Sequence, residues 1–485
     1  MSDDQGLSRI RFGTDGWRAI IAQDFTFRNV ERVAQAYASY LLGQQQTRAQ
    51  DETRRLKSSL VIVGYDCRFL SAQFAWRAAE VLAGNDFSPA LFKEPVPTPL
   101  VSWAVREQGA AGGIVITASH NPPAFNGFKI KAPWGGSASP ETTSEVEALV
   151  DAEPTRRLEI GQGGGREMLE SAVKSYRAQV SSYIDLDRLR RARLRVILDP
   201  MHGSGGRWVE SFLEGGALRA ETIRAGHDPL FGGVNPEPID QHLGALKQAV
   251  SEMGAVIGLA TDGDADRLGA VNERGETMTM HEVVPLILLH LARQRGMTGG
   301  VVRTFSQSVL TKRIAAAHNL PLYETPIGFK YIAELMLRED ILIGAEESGG
   351  IGVRGHIPER DGVLNCLLLL EAVVAAGKTP SGMVRDMHRE FGEFRFGRRD
   401  LHMEVARGQD LVNALASSTP TAINGCTVSG VETLDGTKLL FEDESWLLFR
   451  QSGTEPVLRI YSEATSHAKT QSLLDEGERL ARRLS

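Results

Sequence analysis

Cysteine is almost missing from this chain: Cys67, Cys366 and Cys426 are the only three in 485 residues, far apart and without a C-x-x-C pair. That excludes a disulfide framework and a thiolate zinc site, and it fits a reducing, cytoplasmic setting. A positive excess is missing too. With 54 basic against 61 acidic residues the net charge is -7, so a nucleic-acid partner is not expected. The one local basic run, 188–195, reads as a solvated helix face. Long apolar runs are also lacking. The most apolar stretch, 363–376, contains Asn365 and Glu371 and falls short of the roughly 20 residues a membrane span needs. It reads as a buried helix, and no membrane role is expected. The N-terminus, Met-Ser-Asp-Asp-Gln-Gly, lacks the pattern of a signal peptide. Neither a G-x-S-x-G elbow nor a G-x-x-x-x-G-K-[ST] phosphate loop surrounds the polar motifs described below.

What is present is an ordinary globular composition, 42% apolar and 24% charged. The length suits about three to four domains. Short apolar runs at 60–64, 113–117, 195–199, 256–260, 301–304 and 341–344 read as buried strands. Helical patterns at 30–42, 72–83 and 243–252 lie between them, which predicts α/β layers with largely parallel sheets. Two breaks interrupt the pattern. Residues 151–167 carry Pro154 and a glycine-rich run, then a bridging helix with Val173, Tyr176, Val180 and Tyr183 on one stripe. Residues 389–399 are rich in Arg, Phe and Gly. Beyond them, short runs at 427–433, 439–441, 446–449 and 457–461 predict a small α+β domain with an antiparallel sheet. The expected domains are 1–160, 161–298, 299–392 and 393–485.

Three strands each open into a polar loop: IVIT into Ala118-Ser119-His120-Asn121, GLAT into Asp262-Gly263-Asp264-Ala265-Asp266, and ILIG into Ala345-Glu346-Glu347-Ser348. In α/β sheets, ligands collect beyond the carboxyl ends of strands. Asp262, Asp264 and Asp266 offer three hard oxygen ligands on alternate positions, suited to Mg²⁺ or Ca²⁺. An EF-hand count places Glu273 at position twelve but Arg267 at position six, where the sharp turn needs Gly. Ser119, followed by two prolines and near His120, Asn126, Lys129 and Lys131, reads more readily as simple turn chemistry when taken alone. Arg450-Gln-Ser-Gly-Thr is compatible with a glycine turn or with a phosphate cradle gripped by Arg450.

Read together, these segments resemble the α-D-phosphohexomutase superfamily of phosphoglucomutases and phosphomannomutases. The resemblance runs from Phe12-Gly-Thr-Asp-Gly-Trp-Arg18 to Arg450-Gln-Ser-Gly-Thr-Glu-Pro456, with the four signature loops in family order. It implies an α/β fold of four domains around a central cleft: three similar mixed-sheet domains and a smaller C-terminal α+β domain. By the same resemblance, Ser119 is the phosphoserine. Asp262, Asp264 and Asp266 hold Mg²⁺, with the serine phosphate as a further ligand. Arg18, His120, Lys129 and Arg267 surround the reacting phosphate. Glu346 and Ser348 hold sugar hydroxyls, and Arg450, Ser452, Gly453 and Thr454 bind the phosphate that is not transferred. Pro326 to Lys330 resembles a phosphoglucomutase specificity segment, with Phe329 in place of Trp. Gly350 stands where bacterial dual-specificity members carry His, and Arg360 where some phosphoglucomutases carry Lys.

The implied activity is a phosphoglucomutase, a cytoplasmic isomerase of carbohydrate metabolism. It interconverts glucose 1-phosphate and glucose 6-phosphate through glucose 1,6-bisphosphate, which is both intermediate and activator. A phosphomannomutase or dual-specificity enzyme, a phosphoglucosamine mutase and a hexose 1,6-bisphosphate synthase are the alternatives on the same scaffold. A non-catalytic calcium or sugar-phosphate binding protein is the alternative of another class, and it would have no need of a phosphorylatable Ser119. The expected partner is a small hexose phosphate, and the expected assembly a monomer or weak homodimer.

Overall fold

The structure, a computed structural model, describes residues 8–13, 15–49, 58–161, 165–453 and 456–484. The chain forms two compact units, one of residues 1–277 and 350–374, the other of 278–349 and 375–485.

The first unit contains two mixed sheets. In the first, the strands lie in the order Trp17–Ile20, Phe125–Lys131, Gly112–Ile116, Leu60–Tyr65 and Ser88–Leu91. The last three run parallel, but Phe125–Lys131 is antiparallel to both its neighbours. The second sheet repeats the arrangement. Arg195–Asp199 is parallel to Arg219–Thr222 and to Ile257–Thr261, whereas Leu268–Asn272 returns antiparallel to Ile257–Thr261. The expectation of largely parallel sheets is therefore corrected to mixed ones. The reason is loop length: only residues 117–124 and 262–267 separate the paired strands, and a parallel crossover needs a dozen or more. Each short return places a polar loop just beyond the carboxyl end of a buried strand.

Helices Phe27–Ala49 and Ser71–Gly84 cover the first sheet, packing Val30, Val33, Tyr37, Phe74 and Ala78 against Val61, Ile114, Phe128 and Ile130. The bridging helix, Arg166–Tyr183, buries Leu169, Ala172, Tyr176 and Val180. Val173 and Tyr183, expected on that stripe, are half-buried. The stripe that wins faces helix Thr98–Glu107, where Trp103 meets Tyr176 edge-on and donates its indole N–H to Ser175. The apolar stretch is helix Gly362–Ala376, buried through Val373. Its two polar residues each find a partner, Asn365 Nδ2 donating to the Ile351 carbonyl and Glu371 accepting the Asp185 N–H, although Asn365 Oδ1 has none among the described residues. Among the described residues no single helix is long and apolar enough to cross a membrane.

The second unit holds a parallel group, Leu322–Thr325, Gly300–Thr304 and Ile341–Ala345, and an antiparallel C-terminal sheet. Part of the expected break at 389–399 proves to be regular structure. Helix Pro380–Phe391 ends there, and Arg395–His402 is a strand paired along its whole length with Val457–Ala464. Its arginines are held by carboxylates two residues away or across the helix His467–Leu484, such as Arg398 with Asp400 and Arg399 with Glu478. One face of this sheet packs Phe449, Leu458 and Ile460 on Leu473 and Leu474. The period-two alternation of strands puts Arg398, Arg450, Arg459 and Tyr461 on the other.

Candidate active site

Ser119 follows strand Gly112–Ile116 and takes a left-handed backbone conformation, φ 52°. A non-glycine residue holds such a conformation only where its surroundings over-determine it. Here they do. The Ser119 N–H donates to Thr117 Oγ1 at 2.9 Å, and Thr117 Oγ1 donates to Asp66 Oδ2 at 2.6 Å. The buried Arg68 guanidinium then ties down the loop, donating to the carbonyls of Ser119, Asn121, Pro122 and Phe125 at 2.6–3.0 Å. Its Nε pairs with Asp66 at 3.1 Å, so the charge is matched.

The serine hydroxyl donates to Asp262 Oδ2 at 2.7 Å. Asp262 Oδ1 accepts the backbone N–H groups of Asp266 and Arg267, which curls the metal loop around it. Gly263 is required at that contact, because a Cβ there would collide with the Ser119 carbonyl oxygen. Asp262, Asp264 and Asp266 are fully buried, and one oxygen from each lies within 4.8 Å of the others. Burial, with Asp264 and Asp266 alongside, pushes the Asp262 carboxyl well above its ordinary range. Asp264 Oδ1 and Asp266 Oδ1 are buried with no hydrogen bond among the described residues. Orphaned hard oxygens on three converging carboxylates fit a divalent, oxygen-seeking cation. The loop joins two antiparallel strands, so it is not an EF-hand.

Four cationic side chains, Arg18, Lys129, Arg267 and Arg360, share this pocket with the carboxylates. Lys129 Nζ lies 2.8 Å from Asp15 and Asp264 and 3.2 Å from Asp266. Burial would lower its pKa, but these three carboxylates raise it. Burial would likewise raise Asp15, yet Lys129 and Arg360 hold it well below the usual carboxylate range. His120 Nδ1 stands 3.4 Å from Ser119 Oγ, and burial together with Arg267, Arg18 and Lys129 keeps the ring neutral. Arg18 Nη1 donates to Asn121 Oδ1 at 2.6 Å.

Other groups at the site have no role assigned from sequence, although Asp15 and Arg360 lie in segments compared with the family. Asp15 bonds Arg360 Nη2 at 2.8 Å, and Arg360 also reaches Asp266 at 2.7 Å. Thr98 donates both its N–H and its hydroxyl to Asp264. Glu359 pairs with Lys131 at 2.8 Å. Asp66 and Arg68 lie about 50 residues before the loop they organise. A buried Asp-x-Arg directly after a strand is the one pattern that points to them.

The remaining predicted residues lie in the second unit. Glu346 is buried and Ser348 half-buried beyond strand Ile341–Ala345. The neighbouring Glu347 accepts a hydrogen bond from Ser306 Oγ. Lys330 places its ammonium 5.0 Å from the Tyr331 ring centre. Arg450 Nε pairs with Asp435 Oδ2 at 2.9 Å. Ser452 is buried, its N–H donating to the Val457 carbonyl. Gly453 is exposed with open space where a Cβ would stand, so packing does not demand glycine there. Thr454 lies outside the described residues.

Comparison with known proteins identifies the domains. Models of phosphoglucomutase/phosphomannomutase α/β/α domains I, II and III match residues 9–157, 174–275 and 280–391, and the C-terminal domain model matches 402–479. A phosphoglucomutase/phosphomannomutase of Thermococcus kodakarensis is 29% identical over 97% of this chain and 98% of its own length. A phosphoglucosamine mutase of Erythrobacter litoralis is 30% identical over 97% of both. A solved structure from Thermus thermophilus, provisionally named a phosphomannomutase, is 36% identical, with a TM-score of 0.83 over 98% of this chain and 99% of that one. The chain belongs to the phosphoglucomutase/phosphomannomutase family, with three α/β domains and a smaller C-terminal domain, and is an enzyme of the phosphohexomutase class, an isomerase that transfers phosphoryl groups.

Proposed function

We propose that the chain isomerises hexose phosphates with Ser119 as the phosphoryl carrier, and that glucose 1-phosphate and glucose 6-phosphate are its preferred pair. The observation that carries this reading is Ser119 Oγ, 2.7 Å from Asp262 within three buried carboxylates that lack enough partners. Arg18, His120, Lys129 and Arg267 complete the reacting site. Asp262, Asp264 and Asp266 hold Mg²⁺ together with the serine phosphate, and the chain divides into four domains near 160, 298 and 392. When bound, the metal supplies positive charge to the phosphoryl group in transit.

The chain's own residues account for the rest. Arg18, Lys129, Arg267 and Arg360 stand against Asp15, Asp262, Asp264 and Asp266, and a phosphate dianion entering with a divalent cation adds no net charge to that set. The Ser119 Oγ–phosphorus bond breaks as the sugar hydroxyl oxygen bonds to phosphorus; the hydroxyl proton passes to a nearby base, and the departing Ser119 Oγ takes a proton back to end as the free hydroxyl. His120, neutral and next to Ser119, is the group placed to accept it. The bisphosphate then presents its other phosphate, and the step runs in reverse. Arg450, Ser452, Gly453 and Thr454 grip the phosphate not in transit, Glu346 and Ser348 hold sugar hydroxyls, and Lys330 belongs to the sugar-specificity segment.

The similarity to a phosphoglucosamine mutase supports a second reading, in which glucosamine 1-phosphate is the better substrate. Glucose and mannose share the C3 and C4 hydroxyls and differ at C2, so a loop holding those two groups gives only a modest preference between them. The test is kcat/KM for glucose, mannose and glucosamine 1-phosphates, with Mg²⁺ and glucose 1,6-bisphosphate saturating. Excess chelator should abolish turnover and Mg²⁺ restore it. A clear lead for glucosamine 1-phosphate would move the assignment to the second reading. Accumulation of the bisphosphate from another bisphosphate donor would make the enzyme a synthase. Full turnover in chelator would remove the metal from the mechanism.

A further inference from the structure

Asp435 lies at the tip of the hairpin joining Cys426–Glu432 to Thr437–Phe441, outside every motif singled out in the sequence. One oxygen, Oδ2, accepts two hydrogen bonds: from Arg450 Nε at 2.9 Å and from the Ile327 backbone N–H at 2.8 Å. Ile327 belongs to the segment Pro326 to Lys330, which leads into helix Phe329–Arg338. A single carboxylate thus joins the arginine proposed to grip phosphate to the segment proposed to set sugar preference, whose Ile327 lies 108 residues before Asp435 in the chain. We propose that Asp435 is a positioning residue for sugar-phosphate binding, acting through Arg450 and the Pro326–Lys330 segment together. This rests on the function proposed above.

Two further features support it. The hairpin tip is seated directly on Arg450: Gly436 has φ +105°, and a Cβ there would collide with the Phe449 carbonyl and come within 3.2 Å of Arg450 Cα. The turn is therefore shaped to bring its carboxylate to that arginine. The atom it uses also matters. By engaging Nε, Asp435 fixes the plane of the guanidinium, and among the described residues the two Nη groups carry no hydrogen bond. An arginine held by its inner nitrogen offers its outer pair for bidentate recognition of phosphate with its orientation set in advance. Asp435 also balances the charge of Arg450, a half-buried cation near Tyr461 and Glu347.

The test is a set of variants in the full chain: D435A, D435N, R450A and D435A/R450A. Each is assayed for KM and kcat with glucose 1-phosphate and mannose 1-phosphate, and for thermal midpoint. D435A should raise KM about tenfold, with kcat changed less than about threefold. D435N, whose carbonyl oxygen still accepts one N–H bond, should fall between D435A and wild type. The double variant should be worse than R450A by less than the full effect of D435A, because Asp435 acts partly through that arginine and partly through the Ile327 tether, which R450A leaves in place. The ratio of glucose to mannose kcat/KM should also move in D435A, since the Pro326–Lys330 segment loses its tether. A wild-type KM in D435A would overturn the inference, and so would strict additivity with R450A. If D435A lowers the thermal midpoint by more than about 10 °C, D435N decides: a wild-type KM in D435N overturns the proposal and an intermediate one sustains it. A wild-type protein inert on every hexose phosphate would instead overturn the functional reading, and the inference with it.

Discussion

Two buried lysines, one in each unit, have opposite fates. Lys129 is surrounded by Asp15, Asp264 and Asp266, all within 3.2 Å, and its ammonium is held more firmly charged than in water. Lys438 is equally buried, but its nearest carboxylates, Glu432 and Glu324, stand 3.8 and 3.9 Å away. It donates to the Phe305 carbonyl at 2.9 Å and lies between the rings of Phe305 and Trp446. Burial and the nearby Arg303 pull its pKa down to about 8. Burial penalises both charges, so the partners decide the sign. The first site is a closed set of compensated charges suited to moving a phosphoryl group. The second is a packing joint between the C-terminal sheet and the parallel strands of the same unit. Alongside it, Glu463 caps helix Val309–Ala317 through Ser308 Oγ and the Val309 N–H.

The sharpest way to break this comparison is at Ser119. Ser119→Ala should reduce turnover about a thousandfold or more, because it removes the atom proposed to carry the phosphoryl group. Intact mass should show an added phosphate on wild type and none on the variant. Substantial turnover in Ser119→Ala would leave the charge cluster without a chemical purpose.

Arg68→Met comes next. It unpairs the buried Asp66 and releases four carbonyls of the Ser119 loop. Breaking a buried pair costs about 3–5 kcal/mol, so urea or thermal unfolding should move to a clearly lower midpoint. A midpoint matching wild type would mean that the loop holds its left-handed serine without this arginine.

In the second unit the effects should fall on binding. Arg450→Ala should weaken substrate affinity about ten- to a hundredfold, the loss of one charge-assisted contact. An unchanged KM, with an unchanged Kd by calorimetry, would remove Arg450 from the phosphate site.

The smallest effect concerns Lys438. Its folded pKa, about 8, lies below the roughly 10.4 of an unfolded lysine. The unfolded chain therefore binds more protons between those values, and stability rises with pH across that window. Lys438→Met should flatten this rise, about 1–2 kcal/mol between roughly pH 8 and pH 10. Parallel stability curves for the two proteins would show that the lysine is charged in the folded state after all.

Much of this was legible in sequence. The six buried strands predicted in the α/β part lie within a residue or two of the observed ones, as at Leu60–Tyr65 and Arg195–Asp199, because buried parallel strands are short continuous apolar runs. The aspartate loop stood out because three carboxylates alternate in one contiguous stretch, whereas the serine loop, weak alone, was read through the family resemblance. The bridging helix was found, but its buried stripe was misjudged. Val173 and Tyr183 are as apolar as their neighbours, and only the position of Trp103 decides which side faces inward. The arginine-rich strand Arg395–His402 looked like a break because its charges hide the alternation that pairing with Val457–Ala464 reveals.

The sequence by itself determined the class of chemistry. The Asp262–Asp264–Asp266 set points to a hard cation by its own spacing, whereas Ser119 and the Arg450 loop take their meaning from the resemblance of all these segments, in order, to one family's signature loops. Only the tertiary structure decided which charges neutralise which. Arg360 meets Asp15 across 345 positions, and Lys129 meets Asp264 across 135. No periodicity connects such pairs, because a charge in a dry interior is tolerated only beside its opposite, and what lies beside it is settled when the chain folds.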